Sequence, residues 1–124
     1  CFTRADMVAE YFMEKLRPKD TECVYLLCLD AKGQLIREKK LSDGCVNMAL
    51  ISPREIFLEA LKDKAVNIIL VHNHPSGDPT PSRADRELTD NVAGAGEQMD
   101  IPLLDHIIIG DNRYTSFKEQ KLLR

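Results

Sequence analysis

Three nearly continuous apolar runs constrain this 124-residue chain more than any other feature: Cys23 to Leu29, Val66 to Val71 (broken only by Asn67) and Leu103 to Ile109. None approaches the roughly 18 apolar residues that a membrane span needs. Their shortness, β-branched content and flanking turn residues read as strands rather than helices. Because the apolar character of Cys23 to Leu29 does not alternate, that strand is expected to be buried on both faces, with Val66 to Val71 a central strand and Leu103 to Ile109 another largely buried one.

The segments between them supply cover for these strands. Thr3 to Leu16 carries Met7, Val8, Tyr11, Phe12 and Leu16 at helical spacing, and Pro18 closes the run. Asp30-Ala31-Lys32-Gly33 is a turn leading into a second strand, Gln34 to Leu41, as a hairpin. A further weak strand is expected around Cys45 to Ile51. Ser52-Pro53-Arg54-Glu55 opens a helix with a capping box, followed by the stripe Ile56, Phe57, Ala60 and Leu61. Ser82 to Met99 reads as a third helix with Leu88, Val92, Ala95 and Met99 on one face, and Arg113 to Phe117 adds a short strand before a terminal helical turn. This order predicts an α/β fold, a single three-layer domain over residues 1–124 whose mixed β-sheet is covered by helices. Ligands are favoured beyond the carboxyl ends of its strands.

Composition narrows the classes of function. A net charge of -3 argues against a surface built to neutralise many phosphates, and the basic run Arg37-Glu38-Lys39-Lys40 reads as a solvated strand edge. Cys1, Cys23, Cys28 and Cys45 form no C-x-x-C pair, and Cys23 and Cys28 point to opposite faces of an extended strand, so free reduced thiols and a cytoplasmic setting are expected. The chain opens on Cys1 rather than methionine and shows no signal peptide, so it is expected to be the C-terminal part of a longer protein, without a membrane partner.

The chemistry concentrates in "VHNHPSGDPTPSRAD", residues 71–85. Side chains two apart on a strand project to one side, so His72 and His74 can offer imidazole nitrogens to one ion. A catalytic zinc wants three protein ligands and an open position. The loop 75–81, stiffened by three prolines and bent at Gly77, returns the chain to a helix whose first turn carries Asp85, the expected third ligand. Asp78 is the rival ligand and reads more simply as a turn residue. Ser82 and Asp85 also suit a plain helix cap. His106, inside the last long run, reads as a core histidine or as a residue orienting a ligand from behind.

The string His72-x-His74-x7-Ser82-x-x-Asp85 resembles the JAMM motif of JAB/MPN-type metalloproteases. With "SPREIF" before it and "IPLLDHIIIGDNRYTSF" after it, the chain is similar from Glu22 to Phe117 to the RadC-like branch of that family, long named as DNA repair proteins. The resemblance implies a cytidine-deaminase-like fold and one Zn2+ held by His72, His74 and Asp85. It implies a catalytic Ser82 stabilising an oxyanion, and a catalytic glutamate as general base and proton donor. Glu22, just before the first strand, occupies that glutamate's place, with Glu55 as the alternative.

The function expected is therefore zinc-dependent hydrolysis of an amide bond, with a peptide or protein substrate. The alternative, suggested by the family's name, is a nucleic-acid-associated or DNA-repair module whose metal site is structural or inactive. An HNH nuclease is disfavoured because that motif is dispersed over a ββα unit. A nucleobase deaminase is disfavoured because His-x-Glu and Pro-Cys-x-x-Cys are both absent. Substrate and oligomeric state have no signature in the chain.

Overall fold

A computed structural model describes residues 4–16, 20–42 and 51–123. Its elements are α1 (Ala5–Leu16), β1 (Val24–Leu29), β2 (Leu35–Ser42), α2 (Pro53–Lys62), β3 (Asn67–Asn73), α3 (Arg83–Met99), β4 (Leu103–Ile109) and β5 (Tyr114–Ser116). The strands form one sheet in the order β2-β1-β3-β4-β5. Only β3 and β4 run parallel, joined through α3; the other neighbours are antiparallel. This is the mixed α/β sheet that the alternation of runs and helices predicts.

Every residue of β1 is buried, and the strand sorts its side chains by parity. Val24, Leu26 and Cys28 join Ile68, Leu70, Ile56, Leu88 and Val92 in a core beneath α2 and α3. Cys23, Tyr25, Leu27 and Leu29 join Ile69, Val71, Ile107, Val8 and Phe12 beneath α1. The two cysteines do face opposite ways, and both are free and buried. Cys1, Cys45 and all but the last residue of the strand expected over 45–51 lie outside the described residues; Ile51 itself is buried without strand structure.

The helix faces differ from expectation at their rims. Met7 and Tyr11 on α1, Leu61 on α2 and Met99 on α3 are all at least 40% exposed. Each helix meets a single layer, so its buried stripe is narrow, and residues about 100° away from its centre reach solvent. On α3 the buried line runs through Asp85, Leu88, Thr89, Val92, Ala93 and Gly96, turned from the expected Ala95 and Met99. That rotation presents one acid and one hydroxyl to the sheet.

The basic run on β2 is less solvated than its sequence suggests. Arg37 is held by Glu59 at 2.8 Å and Asp63 at 2.7 Å, tying this edge strand to α2. Glu38 is bonded on the other side by Tyr11 at 2.6 Å and by Lys15, tying it to α1. After β5, residues 117–121 form turns, not a regular helix. No described helix is long and apolar enough to cross a membrane.

Candidate metal centre

β3 ends among the elements that hold the predicted ligands. The parity that sends Ile68 and Leu70 under α2 and α3 places His72 on that same face, fully buried, and His74 just past the strand end. The return loop is docked rather than loose: His74 N donates to Ile109 O at 2.9 Å, and Asp111 N donates to Gly77 O at 2.8 Å. Gly77 takes φ +92°, a conformation open to glycine at little cost. Gly110 permits the close approach, since a Cβ there would lie 2.4 Å from the Gly77 carbonyl oxygen.

The loop delivers Asp85 in the third position of α3. Ser82 caps the helix, its Oγ accepting from Asp85 N at 3.0 Å, while Ser82 N donates to Asp85 Oδ2 at 2.8 Å. The cap and ligand readings of these two residues are thus compatible in one arrangement. At α2, Ser52 Oγ likewise accepts from Glu55 N, at 3.3 Å.

Asp85 Oδ2 lies 3.0 Å from His74 Nε2, and Oδ1 lies 3.2 Å from His72 Nε2. The two Nε2 atoms are 3.1 Å apart. Burial pushes the Asp85 carboxyl up, but the two histidines outweigh it and hold the group well below the ordinary carboxylate range. Its Oδ1 is buried and accepts no hydrogen bond. His74 is shifted the other way, raised chiefly by its contact with Asp85 against the effect of burial.

Glu22 is the fourth member, its Oε1 3.5 Å from His72 Nε2 and its side chain 24% exposed. The register that sets Val24 opposite His72 brings the residues preceding β1 alongside His74. Burial raises the Glu22 pKa, and His72 and His74 pull it back. Glu55 is exposed on the first turn of α2 and takes no part in the cluster. Asp78 is also outside it: Thr80 binds its carboxylate at 2.7 and 3.1 Å, and only its backbone carbonyl serves, accepting from His74 Nδ1 at 2.9 Å. Ser82 is exposed at the rim, its hydroxyl oxygen engaged by Asp85 N.

Two supporting residues escaped or outgrew the sequence reading. Asn73, buried on the α1 face, accepts from Cys23 N at 2.7 Å and donates to Thr21 O at 3.1 Å, gripping the backbone on both sides of Glu22. The available signal was an amide inside an apolar strand, on the face opposite its two histidine neighbours, where a polar group must find partners. His106 is fully buried behind His72, with Nε2 2.8 Å from His72 Nδ1 and Nδ1 2.6 Å from Thr89 Oγ1. Phe117 stacks on its ring at 4.8 Å, and burial drives its pKa well below the ordinary imidazole value.

The donors suit a single ion. Glu22, His72, His74 and Asp85 each present one ligand atom, all within 4.8 Å of one another. A tetrahedral site with bonds of about 2.0–2.1 Å has ligand-to-ligand edges of about 3.3–3.4 Å. The 3.0, 3.1 and 3.2 Å separations among His72, His74 and Asp85 lie close to that. The bare Asp85 Oδ1 and the nitrogen and oxygen donor set fit a divalent metal.

The fold and this cluster define an α/β domain able to hold a metal at the end of a central strand. Residues 2–122 match the family model described as the RadC-like JAB domain, and the chain belongs to that family. It is 49% identical over 116 residues to a UPF0758 protein of Clostridium perfringens, covering 94% of this chain and 51% of that protein. A UPF0758 protein of Pelobacter propionicus is 47% identical over 122 residues, covering 98% and 53%. One from Methanosarcina barkeri is 43% identical over 110 residues, covering 89% and 48%. The chain spans about half the length of the curated relatives it matches.

Proposed function

We propose that this domain is a zinc-dependent metallohydrolase that cleaves an amide bond in a peptide or isopeptide substrate. The observation that carries the reading is the convergence of His72 Nε2, His74 Nε2 and Asp85 within 3.0–3.2 Å, with a half-buried carboxylate, Glu22, 3.5 Å from His72. Zinc bound by these three residues would supply a Lewis acid and a water acidified to a pKa of about 7.

The chain's own groups account for the remaining steps. Glu22, raised by burial and tempered by the histidines, suits a base that takes a proton from the attacking water and then delivers it to the leaving nitrogen. Ser82 stands at the rim on the N-terminus of α3, where its hydroxyl and the positive end of the helix favour developing negative charge on the substrate oxygen. Asp85 remains ionised throughout. A cleft of about 180 Å³ opens beside His74, lined by Leu16, Asn73, Pro75, Gly77 and Asp111.

The test is hydrolysis of peptide and isopeptide libraries by zinc-loaded protein, compared with Glu22→Gln and Glu55→Gln. The reading expects turnover by the parent chain, its loss in Glu22→Gln with zinc retained, and its survival in Glu55→Gln. A zinc-loaded parent that cleaves nothing in either library removes the hydrolase reading.

A further inference from the structure

We infer that Thr89 and His106 are positioning residues that fix the tautomer of His72, so that its Nε2 presents a lone pair rather than a proton to Glu22, His74 and Asp85. The inference rests on the metal-site part of the proposed function and not on hydrolysis.

The direction of each hydrogen bond can be followed from one end. Thr89 Oγ1 lies 2.7 Å from the Asp85 carbonyl oxygen, one turn earlier on α3, and 2.6 Å from His106 Nδ1. A carbonyl only accepts, so the single hydroxyl hydrogen of Thr89 is given to Asp85 O. Turned towards His106 instead, the hydroxyl would leave two oxygens facing each other at 2.7 Å with no hydrogen between them. Thr89 Oγ1 must then accept from His106, which places the ring proton of His106 on Nδ1.

A fully buried neutral imidazole has one donor and one acceptor. With Nδ1 donating, His106 Nε2 accepts, and its partner at 2.8 Å is His72 Nδ1. The proton of His72 is therefore on Nδ1, and Nε2 carries the lone pair. That lone pair faces Asp85 Oδ1 at 3.2 Å.

At His74 a proton on Nδ1 is fixed directly, by the loop carbonyl of Asp78 at 2.9 Å. His72 is buried within the sheet with a second histidine behind it, and a histidine can donate or accept, so its orientation is settled only by the hydroxyl beyond. Phe117, stacked on His106 at 4.8 Å, and Asp105 hold that second ring in place. Asp105 does so by bonding Ser116 Oγ at 2.5 Å and Lys118 N at 3.0 Å, on either side of Phe117.

The chain has three histidines, so the experiment reads few signals. Long-range proton–nitrogen correlation spectra of nitrogen-15-labelled, metal-free protein, recorded above pH 8, report the tautomer of each ring. His72 and His106 are expected as the Nδ1–H form, which is the minor form of a free imidazole side chain. Zinc affinity, measured by competition with a chelator, is expected to fall about 10–100-fold in Thr89→Val and His106→Phe. His106→Gln can accept from His72 and donate to Thr89, and is expected to recover most of that loss. Finding Nε2–H at His72 in the parent protein overturns the inference, as does a Thr89→Val variant with unchanged tautomers and zinc affinity. A protein that shows the expected tautomers but hydrolyses nothing leaves the inference standing and removes only the hydrolase reading.

Discussion

Replacing Asn73 with leucine separates the support of Glu22 from the support of the proposed metal ligands. The substitution keeps the side chain's size and removes two hydrogen bonds, one from Cys23 N at 2.7 Å and one to Thr21 O at 3.1 Å. Each is worth about 1 kcal/mol net, and leaving a buried N–H such as that of Cys23 unpaired costs about 1–3 kcal/mol more. Added apolar contact in the core beneath α1 offsets about 1 kcal/mol. The net loss is therefore about 2–4 kcal/mol, and for a domain of this size the melting temperature should drop by roughly 8–16 °C. Because His72, His74 and Asp85 take no bond from Asn73, zinc affinity should stay within about threefold, a change of under 1 kcal/mol. The Cys23 amide should lose hydrogen-exchange protection, and turnover should fall much further than zinc affinity as Glu22 loosens. Calorimetry, exchange and chelator competition measure these separately. A variant as stable as the parent, or one that loses zinc as readily as a ligand mutant, would refute the reasoning.

Other substitutions probe other links. His72→Ala and Asp85→Ala should each abolish stoichiometric zinc uptake by elemental analysis, and Asp85→Ala should also lose about 1 kcal/mol with the α3 cap. Gly110→Ala places a Cβ 2.4 Å from Gly77 O and should destabilise the domain by about 1–3 kcal/mol while weakening zinc binding through the His74 loop, as read by denaturation and chelator competition. Burial raises the Glu38 pKa, but bonds from Lys15 and Tyr11 outweigh it and hold the group below the ordinary glutamate value. Its contribution is therefore complete above the unfolded-state pKa and lost as pH falls through the lowered folded value. Glu38→Gln should accordingly lose less stability than the parent on acidification from about pH 5 to 3, as followed by urea unfolding.

How legible each feature was depended on how local its cause is. His72 and His74 follow from two-residue periodicity at the end of an apolar run, and Asp85 follows from a cap three residues after Ser82. The strands were legible because β1, β3 and β4 are buried on both faces. Glu22 is different, since it meets His72 only through the register of β1 on β3, and the family resemblance rather than any spacing pointed to it. Asn73 and Thr89 were overlooked although each breaks an apolar surface with a polar group, and Thr89 stands one helical turn after Asp85 on the same face. What sequence periodicity could not fix was the width and exact centre of each buried helix stripe, which leaves Met7, Tyr11 and Met99 at the surface.

The central claim is that one metal ion sits among His72, His74 and Asp85. Anomalous diffraction at the zinc edge from crystals of zinc-loaded protein tests it most directly. A single peak per chain, bounded by His72 Nε2, His74 Nε2 and an Asp85 carboxylate oxygen, is the result expected. Density elsewhere, such as at Asp78, or no peak at this cluster under saturating zinc, would contradict it.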